Sequence, residues 1–237
     1  MKENYLGVEV SSYSYSQLTD QIIEDINKDR KSFIVAINPE KVLKAEKDKD
    51  LLQLLNKATY QIPDGVGILI ASKFRNGNIN ERITGIDMLM TLCKTASENG
   101  KNVFLYGAKP GVAEQAKQNL EAKLPNLSIV GVIDGYEKDQ ESIKRQINDA
   151  NPDIIFVALG SPAQEYWILN NMEQLNVNIF QGVGGSFDVL SGNIKRAPAF
   201  FRKFGLEWFY RLIKEPFRIK RQLKLPLFLL KVIFSKK

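Results

Sequence analysis

The chain has 237 residues, 44% hydrophobic and 25% charged, with a net charge of +6. It contains no histidine and a single cysteine, Cys93, which excludes an internal disulfide framework, points to a reducing compartment and argues against a zinc site. The length suits one large domain, or one domain with a substantial appendage.

The N-terminal stretch MKENYLGVEVSSYSYS lacks an apolar h-region, so no signal peptide is expected. No stretch reaches the roughly 18 uninterrupted apolar residues of a membrane-spanning helix. Residues 18–27 read as a helix, 33–38 (FIVAIN) as a strand and 40–47 as a helix. A short β-prone run then leads into QIPDGVGI, residues 61–68, and GVGILIASKF reads as an apolar helix. Arg82, in ERITGIDM, starts the helical segment that continues over 86–98 and is stopped by Gly100. Strands follow at 103–106, 128–133, 153–159 and 177–183, with helices at 111–124, 140–148 and 164–175. The strands are short, rich in Val and Ile and nearly continuous in apolar character, as in parallel sheets covered on both faces. The alternation predicts a doubly wound, mostly parallel, Rossmann-like α/β domain over residues 1–194.

From Lys195 the character changes. Thirteen Lys and Arg residues face two Glu, a net +11, which leaves −5 for residues 1–194. Residues 198–204, 207–214 and 217–234 read as helical, with Pro216 placed to start the last segment and Pro226 to bend it. This basic helical appendage, 195–237, suits an anionic membrane surface, with LPLFLLKVIF lying in the interface rather than spanning it. The competing expectation is a helix that packs on the body or on a second copy of the chain, giving a homo-oligomer.

Three glycine-containing turns follow predicted strands: YGAKPG with Gly107, LGSPAQE with Gly160, and GVGGSFD with Gly184 and Gly185. Glycine lets backbone N–H groups approach a phosphate, and three such loops on one sheet edge point to a nucleotide or diphosphate ligand. None matches the G-x-x-x-x-G-K-[ST] loop or a clean G-x-G-x-x-G.

Asp64 has two readings. Pro-Asp-Gly is a ready turn sequence, so the acid could simply bond its own backbone. It also precedes an apolar helix, in a chain without histidine, where a partly desolvated carboxylate can serve as a base. Arg82 is either a solvated side chain or a bidentate diphosphate ligand. Arg211, Arg218 and Arg221 share roughly one helical face if the helix continues, and such a cluster suits a pyrophosphate leaving group.

Together these segments resemble the WecG/TagA/CpsF glycosyltransferase family. The matching pieces are NPEKVLKAEKD, PDGVGI, ERITGIDMLM, FLYGAKPGVAE, the Asp-Gly-Tyr at 134–136, VALGSPAQE and the long block GVGGSFDVLSGNIKRAPAFFRKFGLEWFYRLIKEPFRIKR. They run in the family's order over nearly the whole chain, and GLEWFYRLIKEP is the most specific. The resemblance implies an inverting, N-acetylmannosaminyltransferase-like enzyme with no cofactor and no metal. It would use a UDP-sugar donor and a polyprenyl-diphosphate-linked N-acetylglucosamine acceptor, at the cytoplasmic face of the plasma membrane. Its products would feed wall teichoic acid or other surface polysaccharides. The resemblance also implies Asp64 as catalytic base and Asn38, Gln164 and Arg82 as pocket residues. Arg211, Arg218 and Arg221 would stabilise the diphosphate as the tail closes. The chain departs from the family at Ile37, Glu137 and Ala163, where threonine, phenylalanine and lysine are common. Two other classes remain open on the residues: a dinucleotide-dependent oxidoreductase, and a non-enzymatic protein binding through its basic tail, for which no nucleic-acid motif is found.

Overall fold

A computed structural model describes residues 2–198, 200–201, 207–214 and 224–235. The chain opens on an antiparallel hairpin, β1 (Lys2–Tyr5) and β2 (Val8–Ser11). Its turn residues Leu6 and Gly7 have φ of 51° and 92°, the conformation of the tight primed turns that join two twisted strands. The sequence carries no strand signal here, because Leu-Gly is a poor turn signature. The hairpin forms because Tyr5, Val8 and Val10 are carried into the core.

After α1 (Tyr15–Asn27), the strands β3 (Ser32–Ile37), β4 (Tyr60–Pro63), β5 (Asn102–Gly107), β6 (Ser128–Ile133), β7 (Ile154–Ala158) and β8 (Ile179–Gly182) form one parallel sheet. Its order is β4-β3-β8-β7-β5-β6. Helices cover both faces, which makes the fold Rossmann-like.

The apolar runs of the strands divide between the two faces residue by residue, as the period of two requires. Phe33, Val35 and Ile37 of β3 enter one core cluster and Ile34 the other. Ile155 and Val157 of β7 face the first cluster, and Ile154 and Phe156 the second. The first cluster is closed by the hairpin and by α2 (Pro39–Ala45), α3 (Lys49–Asn56), α4 (Val66–Phe74), α7 (Gln140–Ala150) and α8 (Ala163–Asn171). The second is closed by α1, α5 (Gly85–Asn99), α6 (Val112–Lys123) and α9 (Ser186–Leu190). Cys93 lies in the second cluster, where burial pushes its thiol up to about 12.

α3 is not among the helices expected from the sequence. Its signal is local: the Asp48 carboxylate caps the backbone N–H groups of Asp50 and Leu51. The helix expected over 164–175 ends at Asn171 and tightens into a 3₁₀ turn, Met172–Gln174. Helix α5 starts at Gly85 behind a Thr84 cap, so Arg82 precedes it rather than starting it.

Beyond α9, α10 (Glu207–Lys214) and α11 (Lys224–Phe234) are described. Residues 217–223, expected to continue into the last helix, lie outside the described residues. α11 sits on the body. Phe228 and Val232 are buried in the first core cluster, and the Arg75 guanidinium donates to the Val232 carbonyl at 2.8 Å. Lys231 pairs with Glu46 at 2.6 Å. The opposite side of α11 leaves Leu227, Leu230, Ile233 and Phe234 exposed. The helix therefore meets the packing expectation on one side and keeps an apolar surface on the other.

Candidate active site

Neighbouring strands β3 and β8 send their connections to opposite faces of the sheet, β3 into α2 and β8 into α9. Ligands of open α/β sheets bind where connections diverge in this way. A cleft of about 450 Å³ opens at that point. Its walls are Asn38 after β3, Asp64 after β4, Ser161 and Gln164 after β7, and Gly184 and Gly185 after β8. Arg82 adds a cation from the segment before α5, and Lys224 and Leu225 of α11 line another wall.

Local chemistry sets each side chain. The Asp64 N–H donates to the Ile37 carbonyl at 2.8 Å, extending the β3–β4 ladder by one residue. Gly65 then takes φ 99°, open to glycine at little cost, and α4 starts at Val66. The turn leaves the Asp64 carboxylate half-buried at the cleft. Asn38 caps α2, its Oδ1 accepting from the Lys41 N–H at 2.9 Å. That contact leaves the Asn38 amide nitrogen as the group to offer a ligand. Gln164, buried in the first turn of α8, accepts from the Gly184 N–H at 2.9 Å.

The sequence-predicted residues Asn38, Asp64, Arg82, Gln164, Gly184 and Gly185 thus share one cleft. Gly107 and Gly160 do not line it. Gly107 instead ends β5 in register with Ala158 of β7, and the Gly160 carbonyl accepts the Gln164 N–H at 2.9 Å. Arg211 belongs to α10, and its side chain, like Arg218 and Arg221 altogether, lies outside the described residues.

Several neighbours were not singled out in the sequence. Asp87 accepts from the Thr84 hydroxyl at 2.6 Å and from Arg196 at 2.7 Å. Burial alone would raise the Asp87 carboxyl, but these two donors outweigh it and hold it below the usual carboxylate range. The Tyr15 hydroxyl is pushed up to about 12, first by burial and then by the Asp87 and Asp64 carboxylates. T-x-x-D before an apolar run was a readable cap for Thr84 and Asp87. Nothing local pointed to Arg196, which lies 109 residues from Asp87.

A folded-state value below the unfolded one makes Asp87 stabilising above about pH 3.9, the unfolded carboxylate value. That stability is lost as the pH falls through the lowered value. Asp87→Asn is therefore expected to melt below the wild type at pH 7, with the gap closing under pH 4. Thermal melts over pH 3–7 measure it, and a pH-independent gap would remove the ion pair as its cause.

Comparison with known proteins identifies relatives over nearly the whole chain. Residues 3–237 match the glycosyl transferase WecG/TagA/CpsF family. An N-acetylglucosaminyldiphosphoundecaprenol N-acetyl-beta-D-mannosaminyltransferase of Bacillus subtilis (strain 168) is 41% identical over 204 residues, 86% of this chain and 80% of that protein. A protein of the same name from Bacillus spizizenii is 38% identical over 208 residues, 88% of this chain and 81% of its own. Another, from Staphylococcus aureus (strain MW2), is 34% identical over 238 residues, all of this chain and 94% of that protein. A match over nearly every residue, on a Rossmann-like sheet with a polar switch-point cleft, establishes that this chain belongs to the WecG/TagA/CpsF family of glycosyltransferases.

Proposed function

We propose that the protein transfers N-acetylmannosamine from UDP-N-acetylmannosamine to undecaprenyl-diphosphate-linked N-acetylglucosamine, with inversion and without a metal, in wall teichoic acid or related surface polysaccharide synthesis. The observation that carries this reading is the Asp64 carboxylate, presented on a fixed turn into a cleft shared with Asn38, Gln164 and Arg82. In one displacement, Asp64 takes the proton of the acceptor hydroxyl and the freed oxygen bonds to the anomeric carbon. The bond to UDP breaks, and the pair of electrons leaves with the diphosphate. Attack from the face opposite UDP inverts the centre. Arg82 and the tail arginines Arg211, Arg218 and Arg221 would balance the charge developing on the diphosphate. The names of the relatives support the transferred sugar and the acceptor.

The test is a panel of UDP sugars with a short-chain lipid-diphosphate N-acetylglucosamine. UDP release and a disaccharide product are expected with UDP-N-acetylmannosamine. Turnover only with another UDP sugar would change the donor, and no turnover with any would remove the transferase reading.

The lipid acceptor calls for a peripheral site at a membrane surface, and the cytoplasmic face is the one proposed. No helix among the described residues is long and apolar enough to cross a membrane. The exposed Leu227, Leu230, Ile233 and Phe234, within the basic segment 195–237, support docking without spanning. Binding to anionic vesicles is expected to weaken with salt. Leu230→Glu, at an exposed position outside both core clusters, is expected to weaken it by about tenfold or more in sedimentation assays. Unchanged binding would move the docking surface elsewhere.

A further inference from the structure

Glu165 is a carboxylate with no exposed surface. Its Oε1 accepts from Lys41 Nζ at 2.8 Å and from Gln164 Nε2 at 3.2 Å. Its Oε2 has no hydrogen-bond partner among the described residues. Burying an ion pair with an oxygen left over is a poor way to gain stability, because a well-packed apolar pair does as well or better. The arrangement gains something else.

The Gln164 amide is held from both ends. Its nitrogen faces Glu165 and its oxygen accepts the Gly184 N–H at 2.9 Å. Oxygen and nitrogen of an amide are nearly the same size, so shape alone would not choose between the two orientations. Charge does choose. A flipped amide would put its oxygen against the carboxylate and its N–H against the Gly184 N–H. The amide also lies tight over β8, where a Cβ on Gly182 would stand 2.6 Å from Gln164 Nε2. Lys41 comes from α2 after β3, Gln164 and Glu165 from α8 after β7, and Gly184 from the loop after β8. One carboxylate therefore ties three walls of the cleft.

We propose that Glu165 is a positioning residue: through Gln164 it sets the donor pattern that the cleft presents and the placement of the Gly184 loop. The role rests on the transferase reading for its effect on turnover, but the orientation of the amide does not. Lys41 supplies the counter-charge, its Nζ 2.8 Å from Glu165 Oε1.

The test uses the full chain and the double variant Lys41→Met/Glu165→Leu, which removes both charges and leaves apolar volume in their place. It is expected to melt no lower than the wild type, yet to lose about tenfold in kcat/KM for the donor, the usual size of coupling between contacting groups. In a Gln164→Ala background the same two substitutions are expected to cost nothing more. Full transfer by the folded double variant, or the same loss repeated without Gln164, overturns the proposal. Glu165→Gln keeps the shape and one acceptor oxygen, and should fall between the wild type and the double variant. A glutamine variant slower than the double variant also counts against the role. A readout independent of turnover is the side-chain NH2 resonance pair of Gln164, assigned by its loss in Gln164→Ala. It should shift in Lys41→Met/Glu165→Leu, and an unmoved pair overturns the proposal. If the wild type transfers no sugar, the transferase reading fails while this signature still decides the role of Glu165.

Discussion

Asp64→Asn is expected to cut sugar transfer by roughly 10²- to 10⁴-fold, the range ascribed to a positioned general base. Thermal midpoint and UDP affinity should stay close to those of the wild type. The reason lies in which part of Asp64 holds the fold. Its backbone N–H carries the ladder contact to Ile37, and asparagine keeps that N–H. The carboxylate faces the cleft, and the amide that replaces it has nearly the same shape but cannot take a proton from the acceptor. The chain has no histidine to substitute. Single-turnover assays with the lipid acceptor, alongside UDP titrations, measure both halves. Transfer within a fewfold of the wild type would take the base role from Asp64. Equal loss of UDP binding would make it a ligand contact.

Phe228→Ala is expected to destabilise the whole protein by about 3–5 kcal/mol, as do other aromatic truncations in cores. For a chain of this size that lowers the thermal midpoint by roughly 10 °C. Phe228 is fully buried, 6.2 Å from the Tyr5 ring by centroid, and Val232 one turn on is buried beside it. The same helix brings Lys224, paired with Glu40 at 3.0 Å, and Leu225 to the cleft. A raised KM for the donor should therefore accompany the loss of stability. A normal midpoint in the variant would mean that α11 is held by its ion pairs and the Arg75 contacts alone.

The parallel sheet was readable from the sequence because its cause is local. Within FIVAIN and DIIFVAL the runs FIVAI and IIFVAL are apolar at every position, as suits strands covered on both faces. The observed division of β3 and β7 between two core clusters is the same pattern seen in space. The Asp64 turn was readable for the same reason, since Pro63 and Gly65 state their backbone preferences alone. The expected run of helix up to Leu175 was too long because apolar periodicity carries no stop signal there, whereas the chain tightens at Met172.

By itself, then, the sequence determined the α/β alternation, the acid turn, the charge split between body and tail, and the family. Each of these is written in neighbouring residues. Tertiary structure alone decided the rest. It paired Lys41 with Glu165 across 124 residues and Asp87 with Arg196 across 109. It also folded one side of the last helix into the core and left the other side to solvent. Such contacts depend on where the switch point of the sheet brings distant loops together, and no local propensity encodes that meeting.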